Sequence, residues 1–138
     1  MDFEVSSHVA ENGVRVLSVR GELDLQTADG LRRRLPERFT VTAPAVLDLT
    51  ECGFMDSTGI SVIVVACRQA ESDGHPGLVL VAPSGSQVRT VLRLTGLDSR
   101  LPVLETREAA VQTVSRPPLV VPDPARDGRP RSRDSARA

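Results

Sequence analysis

The sequence predicts an α/β domain with a mixed sheet of about four to five strands. Three observations carry that expectation. Short apolar runs alternate with segments of helical periodicity, the first two runs are joined by an Asn12-Gly13 turn, and there is no internal repeat. An opening hairpin followed by strand–helix units gives a sheet with both pairing senses.

Each element has its own signal. Phe3-Glu4-Val5 and Val14–Val19 read as strands around the Glu11-Asn12-Gly13 turn, because Asn-Gly between apolar runs is the strongest short hairpin signal. The second strand runs into Gly21-Glu22-Leu23-Asp24. Thr27-Ala28 then opens a short helix with Ala28, Leu31 and Leu35 at helical spacing, limited by Pro36. Its Arg32-Arg33-Arg34 run is expected to be a solvated face. Val46-Leu47-Asp48-Leu49 is a short apolar strand, placed centrally. A long helix follows from Ser57 or Thr58 to about Ser72, with Asp73-Gly74 as its stop. Its apolar residues form two stripes, Ile60, Ile63, Val64 and Cys67, and Val62, Val65 and Ala66. A helix apolar over so much of its girth is buried on two sides or partly kept for a partner, and the Val62–Val65 side is the candidate contact.

Leu78–Val81 is the fourth strand, and a helix from about Ser86 carries Val88, Val91 and Leu92. Gly96 is placed for a left-handed C-terminal position, with Leu97 making the accompanying contact. Leu101–Leu104 is the last strand, and Thr106 caps a last helix through about Val114. The domain therefore spans 1–114. Residues 115–138 hold five of the ten prolines and six arginines against three aspartates, a tail expected to be disordered and inert.

Composition removes several function classes. A net charge of −1 supplies no broad field for nucleic acid or an anionic membrane. No apolar stretch approaches the length of a membrane span and no basic-plus-apolar leader is present, so a cytoplasmic protein is expected. All 17 basic residues are arginine, which removes the P-loop lysine and Schiff-base chemistry. Cys52, Cys67, His8 and His75 lack zinc-ligand spacing, and neither a metal nor a cofactor is expected. Cys67 is expected in the core and Cys52 in a partly exposed loop.

The segment Phe54–Ile63 holds the candidate site. It places Ser57 beside a helix N-terminus, next to Asp56. Free backbone N–H groups and the helix dipole stabilise an anion there by about 0.3–1 kcal/mol, so a phosphoserine is compatible with the fold. Asp56 opposes it by like-charge repulsion. Gly59 costs the helix about 1 kcal/mol relative to alanine and suits close approach by another backbone or an enzyme. Ordinary helix capping by Asp56 and Ser57 explains the same residues, and both readings stand. A serine nucleophile is disfavoured, since no motif places a histidine near Ser57 and the Gly-x-Ser-x-Gly elbow is missing.

Several ordered segments resemble the STAS domain family, and within it the bacterial anti-sigma factor antagonists. These are Gly21-Glu22-Leu23-Asp24 with Thr27-Ala28, Val46–Leu49, Phe54–Gly59, Leu94-Thr95-Gly96-Leu97 and Leu104-Glu105-Thr106, spread over about residues 3–114. Cys52-Gly53 before Phe54 and the arginine- and proline-rich tail depart from the family's usual pattern. The resemblance implies a single domain with helices mainly on one face of a mixed sheet. It implies that Ser57, with Thr58 as second choice, is phosphorylated by an anti-sigma factor that is itself a serine kinase. The unphosphorylated form binds that kinase and releases the sigma factor, and a metal-dependent serine phosphatase restores it. Asp24 is implied as a kinase contact; together with Asp56, Ser57, Thr58, Gly59 and Val62, read from the residues themselves, it makes up the expected partner-binding set. A scaffold subunit of a larger signalling assembly is the alternative role, and a small serine-dependent enzyme the remote one.

Overall fold

Side-chain alternation along the strands sorts most of the buried leucines and valines of this chain onto opposite faces of one sheet. The computed structural model describes residues 2–10, 12–35, 44–72 and 75–115. The chain runs β1 (Glu4–Val9), β2 (Arg15–Leu23), α1 (Ala28–Arg34), β3 (Ala45–Met55) and α2 (Ser57–Ala70). There follow β4 (Glu71–Ser72), β5 (His75–Pro76), β6 (Leu78–Val81), α3 (Gln87–Leu94), a 3-10 turn (Leu97–Ser99), β7 (Val103–Leu104) and α4 (Arg107–Ser115). The five-stranded sheet has the order β1-β2-β3-β6-β7, with β1 antiparallel to β2 and every other pair parallel.

Leu17, Leu47, Leu49, Leu78 and Leu80 face α1, α2 and α3, where Leu31, Ile63 and Leu92 complete the larger core. Val14, Val16, Val46, Val79 and Val81 face the other way and are covered by Ala110 and Val114 of α4. Three helices thus lie on one face and one on the other, the mixed-sheet α/β arrangement anticipated from the sequence. Arg32, Arg33 and Arg34 are exposed, and Gly96 adopts φ 76°, as their positions suggested.

The differences lie at element ends. β3 is far longer than Val46–Leu49, because beyond Asp48 it pairs with β2 alone and carries two extra residues where the register shifts, near Leu49-Thr50 and at Gly53. Such bulges bend a strand and re-aim its C-terminal end. α2 ends at Ala70, and β4–β5 form a separate small hairpin that sequence patterning does not reveal. Pro36, the Asp73-Gly74 stop and residues 116–138 lie outside the described residues.

One buried charge orders the α4 face. Asp48 is 4% exposed; its Oδ2 accepts from Nε and Nη2 of Arg107 at 2.9 and 2.8 Å, and its Oδ1 accepts from the Thr50 amide at 3.0 Å. Burial raises its pKa, but the bonds from Thr50 and Arg107 together outweigh burial and hold it below the ordinary 3.8. A lowered carboxylate stabilises the fold fully above its ordinary value, and that contribution is lost as pH falls below it. Urea midpoints compared at about pH 6 and about pH 3 are therefore expected to fall further in the wild-type chain than in Asp48→Asn.

Candidate functional site

The C-terminal ends of β2 and β3 lie side by side and bring the predicted residues together. Leu23 is in register with Met55, and the Asp56 amide donates to the Leu23 carbonyl at 3.1 Å. The chain leaving β2 turns sharply at Asp24, whose Oδ1 accepts from the amides of Gln26 and Thr27 at 3.0 and 3.2 Å. Thr27 closes the turn from the other side: its hydroxyl accepts from the Asp24 amide at 2.9 Å and donates to the Glu22 carbonyl at 2.7 Å. The Asp24-x-x-Thr27 spacing is the signal for this reciprocal turn, whereas the sequence pattern alone assigns Thr27 only the start of α1.

Asp56 is the N-cap of α2. Its Oδ1 accepts from the Thr58 and Gly59 amides at 2.9 and 3.1 Å, filling the usual capping role by itself. Ser57 is the first helical residue, exposed, and among the described residues its hydroxyl and its own amide take part in no hydrogen bond. The choice between a capping serine and a free one is thereby resolved: the cap is the aspartate. The site is acidic, with Glu22, Asp24 and Asp56 on the two strand ends. Large apolar side chains lie exposed beside them in sequence, Leu25 at 76% and Phe54 at 41%. Sequence pattern singles out neither one.

Three expectations are corrected. Gly59 is buried, not open to a partner: a Cβ there would lie 2.8 Å from both the Leu23 carbonyl oxygen and Leu23 Cγ, and 3.0 Å from Met55 Cγ. The close backbone approach it permits is with this chain's own β2. Val62, expected on the contact side, is 5% exposed, because Gly59, Val62, Ile63, Ala66, Cys67 and Ala70 form one inward stripe. Val65 alone of that pair points outward, at 53%. Cys52 lies within β3 and is buried, its thiol 3.2 Å from the Phe54 carbonyl, and burial raises its pKa. Cys67 is in the core as expected, its thiol pushed up to about 12 by burial.

No histidine is positioned as a base for Ser57 among the described residues. His8 lines a groove of about 360 Å³ with Ser6, Ser18 and Asp48 on the α4 face. His75 belongs to the hairpin at the far end of α2, a 14-residue helix about 21 Å long. Among the described residues there is no cluster of side chains able to hold a metal ion, and no helix long and apolar enough to cross a membrane.

Residues 7–110 match the family model of the STAS domain. The anti-sigma-F factor antagonist RsfB of Mycobacterium tuberculosis is 33% identical over 104 residues, covering 75% of this chain and 83% of that protein. The crystal structure of an anti-sigma factor antagonist from Mycobacterium paratuberculosis aligns with a TM-score of 0.68 at 25% identity, over 83% of this chain and 96% of that one. The Bacillus cell fate determinant SpoIIAA in its phosphorylated form shares the fold, with a TM-score of 0.56 at 20% identity over 80% of this chain and 99% of that one.

Proposed function

The chain belongs to the STAS domain family, and on that premise we propose that it is an anti-sigma factor antagonist switched by a phosphate on Ser57. Its role is binding, without catalysis of its own. The partner is an anti-sigma factor that is also a serine kinase. The unmodified chain holds it and frees the sigma factor; the phosphorylated chain lets go, and a serine phosphatase resets the cycle in the cytoplasm.

The observation that carries this reading is the exposed, unengaged Ser57 hydroxyl beside a helix cap that Asp56 already fills. An acceptor must be reachable, and its modification must change a surface without unfolding a domain. Ser57 meets both conditions, since Asp56 keeps the cap when the serine is altered. Thr58 is the second acceptor, but it is half-buried where Ser57 is exposed. Asp24 and Asp56 are the acidic contacts offered to the kinase, and Val65 extends the surface along α2. Gly59 and Val62 serve it from beneath, by seating the helix.

Incubation with the cognate anti-sigma factor and ATP is expected to add a single phosphate, found on Ser57 by peptide mass spectrometry. An unmodified Ser57 in the presence of a kinase competent on another substrate would refute the reading.

A further inference from the structure

Backbone amides around Ser57 are held from several directions, and one of the holders is a side chain from a distant helix. The Asp56 amide goes to Leu23 on β2, and the Thr58 and Gly59 amides go to the Asp56 carboxylate. The Met55 amide alternates to the opposite edge of β3, where β6 has already ended at Val81 opposite Asp48. A buried amide without a strand beside it needs another acceptor. That acceptor is the side-chain Oε1 of Gln87, 3.0 Å away, at the first residue of α3.

The base of Gln87 is itself anchored. Glu105, just beyond β7, accepts from the Ser84 amide at 3.0 Å, from the Ser84 hydroxyl and from Arg89 at 3.1 Å. Arg89 also donates to the Ala82 carbonyl at 2.6 Å, and the Ser86 hydroxyl caps α3 by accepting from the Arg89 amide. The start of α3 is therefore tied to the ends of β6 and β7 before Gln87 reaches across to β3.

We infer that Gln87 is a positioning residue for Ser57: through the Met55 amide it fixes the end of β3 and so the place of the acceptor hydroxyl. The inference rests on Ser57 being the phosphate acceptor. Gln87 does not touch the hydroxyl; it acts through two residues of backbone, with the Asp56, Thr58 and Gly59 amides held and the Ser57 amide in no hydrogen bond among the described residues. Misplacement of a reacting group lowers the rate of transfer more than the strength of docking.

Gln87→Leu keeps the size and removes the acceptor, while Gln87→Glu keeps an oxygen for the Met55 amide. Hydrogen exchange followed by NMR on the full chain reads the clamp directly. The Met55 amide is expected to exchange about tenfold faster in Gln87→Leu and at the wild-type rate in Gln87→Glu. With the kinase that modifies the wild-type chain, Gln87→Leu is expected to lower kcat about tenfold at little-changed KM, and Gln87→Glu to restore it. Wild-type exchange at Met55 in Gln87→Leu, or phosphorylation at the wild-type rate, overturns the inference while leaving the switch intact. A wild-type chain that accepts no phosphate overturns the switch itself, whatever the exchange data show.

Discussion

Ser57→Asp is expected to bind the anti-sigma factor about 100-fold more weakly than the wild-type chain, and Ser57→Ala to bind as tightly as the unmodified form. A hundredfold loss corresponds to about 2.7 kcal/mol. Its source is electrostatic and local. Ser57 is exposed at the start of α2, directly after Asp56 and beside the strand end that carries Glu22 and Asp24, with Leu25, Phe54 and Val65 exposed nearby in the chain. A new negative charge there finds the Thr58 and Gly59 amides already taken by Asp56, so the helix end offers it little beyond the amide of residue 57 itself. Against a docked partner it must also be stripped of water. A true phosphate, with a charge of about −1.5 to −2, is expected to act more strongly than the aspartate. Ser57→Ala should stay bound when ATP is present, because nothing remains to modify. Pull-downs with both variants check this, and equal binding of the two removes the switch.

Gly59→Ala is expected to destabilise the domain by about 2 kcal/mol. The added methyl would sit 2.8 Å from a backbone oxygen and from Leu23 Cγ, and 3.0 Å from Met55 Cγ. Leu23 and Met55 are both buried, so neither has room to turn away. Overpacking of this kind costs up to about 3 kcal/mol, and the better helix propensity of alanine returns about 1 kcal/mol. For a domain of this size the net loss lowers the thermal midpoint by about 10 °C. Gly53 provides the internal comparison: it lies in β3 with open space around its Cβ position, and Gly53→Ala should stay within about 0.5 kcal/mol of wild type. Thermal unfolding of the two variants that shows no difference would remove the tight seating of α2 on Leu23.

Where pattern and physics agree, the residues foretell the fold closely. Asn12-Gly13, the alternating valines and leucines, and Gly96 each have a local reason to be where they are, and none needs a tertiary partner to be read. The end of β3 is different. Thr50-Glu51-Cys52-Gly53 is polar and carries a glycine, so it lacks a strand's alternation, yet pairing with β2 through two bulges holds it extended and buries Cys52. α2 misleads for a related reason. Its inward stripe begins at Gly59, which carries no apolar signal, so Val62 and Ala66 look like a second face when they belong with Ile63 and Cys67. Asp56 and Ser57 can be singled out by capping chemistry as well as by the family resemblance, whereas Asp24 enters through the resemblance alone. Gln87 is not, since its contact with Met55 spans 32 positions and depends on β6 stopping short.

The most direct test of the switch is a calorimetric titration of the anti-sigma factor with two forms of this chain, one unmodified and one carrying phosphoserine at position 57 throughout. The unmodified form is expected to bind, and the phosphorylated form to bind at least about 100-fold more weakly while keeping the same circular dichroism spectrum. Equal affinity of the two folded forms would contradict it.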